Sequence, residues 1–367
     1  MHRRDFLRTA TTTSASLALL PVSRLLAQVA PADDWRTFDV ITRVEVLKPS
    51  GPTRIWVPAA LTVDTPYQRT QSTTCDAAQG TATLVPLNAV DGLTVVAAAF
   101  PAGARPVLSV TSRVSNRNVA VDLGRTGTAR AEDRATLDHF LRPTKLVPTD
   151  GIVRTTADDI TRGATTDVAK ARAIYEWIVD NTERNPKTRG CGLGDIRFML
   201  QTKDLTGKCA DLNALFVGLS RASGLPARDA YGIRTSPSAL GYKSLGASSS
   251  TITKAQHCRA EVYLTGYGWV PVDPADVRKV VLEEPPGNRT LDDEMVRKAR
   301  ARLFGSWEMN WAAYNFAHDV PLPGSKGAPI GFFMYPQAET DQGRLDSLDP
   351  DTFRYEITSR EVEDSRR

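Results

Sequence analysis

A chain of 367 residues is long enough for one large domain or two ordinary ones. Its 41% hydrophobic and 24% charged residues are ordinary for a soluble globular protein. Most of the formal +4 charge sits in residues 1–32, where Arg3, Arg4, Arg8 and Arg24 outnumber Asp5. The rest is close to neutral, which excludes nucleic acid as the expected partner.

The opening His2-Arg3-Arg4-Asp5-Phe6-Leu7-Arg8 resembles a twin-arginine export signal. A weakly apolar stretch follows from Ala10 to Leu20, too short to span a bilayer stably, and Ala27, Ala30 and Ala32 offer cleavage sites. Residues 1–32 are therefore expected to be a signal peptide, and the protein periplasmic, without a transmembrane anchor in its mature form. Such a compartment permits disulfides among Cys75, Cys191, Cys209 and Cys258. If Cys209 stays free, at most one bridge forms, which argues against a disulfide scaffold.

Residues 33–147 read as a β-rich, sandwich-like module. Thr37–Leu47, Thr53–Val57, Thr81–Val85, Leu93–Phe100 and Val107–Val114 are short Val-, Thr- and Ile-rich runs between turn residues. Residues 148–360 have a different texture and are expected to form an α+β domain with its core at 168–276. Ala171, Ile174, Tyr175 and Ile178 have amphipathic helical spacing, which Pro186 ends. Leu212, Leu215, Phe216 and Leu219 repeat it directly after Cys209, until Gly224 and Pro226. Strands are expected at Arg228–Ile233, Ala260–Leu264 and Gly268–Val272. Between the first two, residues 235–255 are rich in Ser, Gly and Thr and look like a flexible cover. A charged stretch (278–302) and an aromatic cluster (Trp307, Trp311, Tyr314, Phe316) follow, and 361–367 look like a frayed tail.

The chemistry concentrates on three residues. Cys209 opens a helix, where the dipole favours thiolate and free backbone N–H groups await an oxyanion. His257 begins a strand, and Asp273 ends the next one. On adjacent antiparallel strands they stand side by side, so the carboxylate fixes the imidazole and leaves its other nitrogen for the thiol. Asp276 is the backup acceptor. Asn213, one turn beyond the thiol, is a candidate substrate contact; Asp211 reads better as a dipole complement, and Trp269 is a further accessory candidate.

These motifs resemble the transglutaminase-like branch of the papain-like superfamily: Gly207-Lys208-Cys209-Ala210-Asp211, then Ser223-Gly224-Leu225-Pro226-Ala227-Arg228, His257 with Glu261 and Tyr263, and Gly268-Trp269-Val270-Pro271-Val272-Asp273. The likeness covers roughly Ala171 to Asp276, and more loosely extends to Tyr355. It implies a papain-like fold, Cys209 as nucleophile, His257 as general base and acid, Asp273 as orienting acceptor, and a thioester formed from a protein or peptide amide. No residue maps onto the family's side-chain oxyanion donor, and Trp177 reads as core packing. No acidic cluster for calcium is evident, and neither cofactor nor metal is expected.

Cys191, Cys209, Cys258 and His257 match no zinc-module spacing, and a closed zinc site would quench the nucleophile. Cys258, next to His257 on a strand, is expected to face away from the site, a Cys191–Cys258 bridge having nothing to support it. Three functions compete: a thiol hydrolase of peptide or isopeptide amides, a protein-glutamine transamidase, and a non-catalytic envelope binding module. The intact Cys, His and Asp set speaks against the third.

Overall fold

The computed structural model of the protein describes residues 35–125 and 127–362. The expected twin-arginine leader and residues 363–367 of the expected tail lie outside the described residues.

Period-two alternation shapes the β-rich part. Along Val107–Asn116, Leu108, Val110, Ser112 and Val114 are buried while Val107, Ser109, Thr111 and Arg113 are only half-covered. Such strands build two antiparallel sheets. One runs Phe353–Val362, Arg36–Val46, Val107–Asn116, Gln68–Asp76; the other runs Gly343–Arg344, Gln337–Thr340, Thr53–Pro58, Leu93–Phe100, Thr81–Asn88. Between them Val44, Ile55, Val96, Phe100, Leu108 and Phe353 form one apolar core.

Two strands differ from expectation. Phe353–Val362 pairs along the whole of Arg36–Val46, from Thr37↔Val362 to Val46↔Phe353. Residues 148–360 are thus not one packing unit, because the final strands complete the N-terminal sheets. Glu361 is no frayed tail: its carboxylate holds the Arg36 guanidinium at 2.7 Å. Gln68–Asp76 is an edge strand of polar residues, whose pairing partners and not its own pattern make it β.

The second half is a four-stranded antiparallel sheet in the order Gly268–Val272, Gln256–Leu264, Ala227–Arg234, Trp311–Asn315. Against it packs the helix Cys209–Ala222, buried at all its residues, as its apolar composition on every side requires. Leu215, Phe216 and Leu219 join Ala260, Val262 and Val272 in the core. Gly218 lets this helix approach closely: a Cβ there would stand 2.1 Å from Ile196 Cδ1. The helix Asp167–Asn181, N-capped by the Thr166 hydroxyl (3.1 Å from the Ala169 N–H), packs alongside, with Trp177 partly buried against the same core. The fold is the expected α+β arrangement, a helix-on-sheet core joined to a β-sandwich.

Residues 235–255 contain no regular element, yet they are a fastened wall and not a loose cover. Tyr242, Leu245, Ala247 and Ile252 are buried. The Glu284 carboxylate accepts from the N–H groups of Lys243 and Ser244 (3.0 and 2.9 Å), and the Ile252 N–H reaches the Ile357 carbonyl at 2.8 Å.

On the sheet face away from the helix, Arg228 donates to Glu261 at 2.7 Å, both side chains almost fully buried. The guanidinium lies between the rings of Trp269 (4.0 Å) and Phe316 (3.8 Å), and the Tyr67 hydroxyl donates to the same carboxylate at 3.3 Å. Desolvation cancels much of a buried pair's attraction, but removing one partner strands the other. Glu261→Leu is expected to lower unfolding free energy by about 3–5 kcal/mol in urea titration. A loss under about 1 kcal/mol would show that Arg228 finds solvent or another partner.

Candidate active site

The site begins where the helix Cys209–Ala222 begins. The Ala210 N–H donates to the Cys191 carbonyl (2.9 Å), and the N–H groups of Asp211 and Leu212 donate to the Lys208 carbonyl (3.1 and 3.0 Å). The N–H of Cys209 has no partner among the described residues. A helix start thus presents one free donor beside its own thiol.

Asp211 accounts for this rigidity. Its carboxylate accepts from the N–H groups of Lys208 (3.0 Å), Leu193 (3.0 Å) and Gly194 (2.9 Å), clamping the 191–194 loop onto the helix start. Gly192 sits at φ +96°, and a Cβ there would stand 1.8 Å from Asp211 Oδ2. Asp211 is a structural clamp and does not line the cleft.

His257 Nε2 lies 2.7 Å from Asp273 Oδ2. Asp273, 0% exposed, ends its strand and caps the helix Pro274–Glu283, accepting from the Asp276 N–H at 3.1 Å. Asn213, fully buried, donates to the Cys258 carbonyl (2.8 Å) and to Asp273 Oδ1 (3.3 Å). It therefore positions the acceptor, in place of the expected contact with substrate. Asp276 accepts two hydrogen bonds from Arg234 Nη2 (2.6 and 2.7 Å) and lies 3.4 Å from His257 Nε2. Trp269, the third accessory candidate, stacks under Arg228 and donates from Nε1 to Glu132 at 3.0 Å, away from the cleft.

Electrostatics follow from this burial. Desolvation and Arg234 act to lower the pKa of His257, but Asp276 and Asp273 outweigh them, so the imidazole holds its proton above the ordinary histidine range. Burial, together with Asp276, raises Asp273 despite the opposing His257. Asp276 also suffers desolvation, yet Arg234 and His257 hold it well below the usual carboxylate range. Burial brings Arg259 down to about 10.

Cys209 (3% exposed) and His257 (4%) open on one cleft of about 260 Å³, also walled by Cys191, Gln256 and part of the 246–255 segment. Among the described residues no direct hydrogen bond joins the thiol to the imidazole; such bonds commonly tighten only when substrate binds. Cys258 stays off the cleft on the face opposite His257, as expected, yet it is not remote from the nucleophile. It shares the strand face of Ala260 and Val262, which packs on the helix headed by Cys209, so its thiol interacts with those of Cys209 and Cys191. The neighbouring thiols of Cys209 and then Cys258 draw the Cys191 thiol well below its usual value, while burial pushes Cys258 up. All four cysteines are free.

Gln256 was missed in the sequence. Its side-chain Nε2 is buried without a hydrogen-bond partner and belongs to the wall that holds Cys209 and His257. No motif marks it, and its place one residue before His257 was the available signal. Among the described residues His257, Asp273 and Asp276 place donor atoms within 4.8 Å of one another, but Arg234 already holds Asp276 in a position where a cation would meet repulsion.

Comparison with known proteins agrees with this architecture. Residues 154–274 match the transglutaminase-like superfamily, so the chain carries a transglutaminase-like domain. A Haemophilus influenzae protein described as uncharacterized is 41% identical over 235 residues, covering 62% of this chain; the match spans 63% of that relative's length. A crystal structure from Cytophaga hutchinsonii, provisionally described as a cysteine protease, has a TM-score of 0.50 at 16% identity, covering 89% of this chain and 98% of that one. The periplasmic domain of TgpA from Pseudomonas aeruginosa is more distant, with a TM-score of 0.35 at 15% identity over 71% of this chain and 92% of that domain.

The two carboxylates behind His257 predict a pH signature. A raised imidazole pKa means that stability gained from the protonated form is present below the unfolded histidine value of about 6.5 and disappears as pH rises through the folded value. Asp273→Asn is expected to shift the His257 titration, followed by NMR of the ring protons, to lower pH. An unmoved titration would mean that Asp273 is protonated throughout.

Proposed function

We propose that the protein is a thiol-dependent acyl-transfer enzyme that cleaves peptide or isopeptide amides through a Cys209 thioester. The observation that carries this reading is the shared cleft. A thiol at a helix start, beside an unpartnered backbone N–H, opens on the same wall as a histidine backed by a buried carboxylate.

The chemistry follows from these positions. Cys209 Sγ, as thiolate, attacks the amide carbon. The oxygen that becomes negative is met by the Cys209 N–H and, on this reading, by Gln256 Nε2. The C–N bond breaks as His257, through the nitrogen not held by Asp273, passes its proton to the departing amine. Water then gives a proton to the same nitrogen and attacks the thioester, releasing the carboxylic acid and regenerating the thiol. Asp273 keeps the ring oriented, and Asn213 keeps Asp273 in place.

Hydrolysis is proposed over transamidation because the cleft shared by Cys209 and His257 has a mainly polar lining, which admits water to the thioester. The leader's twin arginines support export to the periplasm as part of this proposal.

Cys209→Ala is expected to abolish release of amine from peptide amides, measured by mass spectrometry. Gln256→Ala should lower kcat by about 10²–10³ with a small change in KM. A KM effect alone would remove Gln256 from the oxyanion site. Incubation in H₂¹⁸O with an excess of free amine should give labelled acid as the main product; a dominant new amide would favour the transamidase.

A further inference from the structure

The cleft carries a charge pattern that amide chemistry alone does not require. Arg184, Lys208, Arg234, Lys254 and Lys279 line it, and no carboxylate is among its lining residues. This is not the overflow of a basic chain, because outside the leader the sequence is close to neutral. Arg234 is committed to Asp276. Arg184 and Lys279 share a single partner, Glu283, with Lys279 reaching it only at 3.8 Å. Lys208 and Lys254 make no ion pair among the described residues.

These two lysines line the same cleft as Cys209 and His257. Lys208 immediately precedes the nucleophile, and Lys254 lies three residues before His257. Both continue into an adjoining groove of about 470 Å³, which shares Cys191 and Gln256 and adds Tyr335, Leu348, Phe353 and Tyr355. The surface therefore offers positive charge at the bond to be cut and an apolar, aromatic annex beyond it.

We infer that the acyl donor is an acidic peptide, bearing a carboxylate next to the scissile amide and an apolar side chain one or two residues away. This deepens the amide-cleaving reading and rests on it for the word donor. A carboxylate there would meet half-buried Lys208 and exposed Lys254 in a cleft lined by no competing carboxylate, an attraction that salt screens.

The test separates binding from turnover. Two fluorescein-labelled octapeptides, each with one Leu and differing only in three Glu against three Gln, are titrated into the Cys209→Ala protein and read by anisotropy. The Glu peptide is expected to bind at least about tenfold tighter at 50 mM NaCl, with the gap narrowing at 500 mM. In the added background Lys208→Gln/Lys254→Gln the gap should close. The single variant Lys254→Glu, at an exposed position, should weaken the Glu peptide selectively. Equal affinity for the two peptides overturns the inference, as does a gap that survives both sets of substitutions. Binding of inorganic polyphosphate without preference between the peptides also overturns it. With wild-type protein, Glu-selective binding without cleavage of either peptide would refute the hydrolase while leaving the charge selectivity standing.

Discussion

Everything at the centre of this molecule depends on keeping two carboxylates charged or half-charged where water does not reach. Asp273 and Asp276 are both essentially buried, and desolvation opposes their ionisation. Arg234 holds one, His257 the other, and Asn213 with the backbone of the following helix completes the shell. Each partner comes from a different element: the helix of Cys209, the strand of Arg234, the strand of His257 and the turn after Val272. Stranding one such charge costs about 3–5 kcal/mol, against at most about 1 kcal/mol for an exposed ion pair. The exposed pairs, such as Arg134 with Asp138, therefore decorate a fold whose relative orientation of helix and sheet is set by this buried network.

That network explains why sequence reasoning reached the site. Cys209, His257 and Asp273 each sit at the boundary of a regular element, and such boundaries are written locally, by apolar spacing, by Gly224 and by the Asp273-Pro274 step. The residues that support them are not written locally. Arg234 looks like any strand-end arginine until the turn places Asp276 opposite it. Gln256 differs from a surface glutamine only because the 246–255 wall folds over it. Alternation correctly set Cys258 opposite His257 and off the cleft, but that this face meets the helix of Cys209 depends on packing.

The β-sandwich shows the same division. Leu93–Phe100 was legible because its run is almost wholly apolar, and it is paired on both sides in its sheet. Gln68–Asp76 carries Gln, Arg, Thr and Ser in place of alternating apolar residues, and it is β because Val107–Asn116 offers it an edge. Pairing across hundreds of residues has no local signature at all, so the partnership of Phe353–Val362 with Arg36–Val46 was invisible.

That partnership bears on when the protein becomes competent. Thr37 and Val362 are register partners, so the seam joins segments far apart in the chain. Loop closure over such a span is slow and entropically costly, which places it late in folding. The same last strand supplies Phe353 and Tyr355 to the groove beside Cys209. A growing chain thus holds its thiol, imidazole and carboxylate long before the groove beside them is complete. Timing is built into the topology: the groove waits for residues 353–362 to find their partner strand.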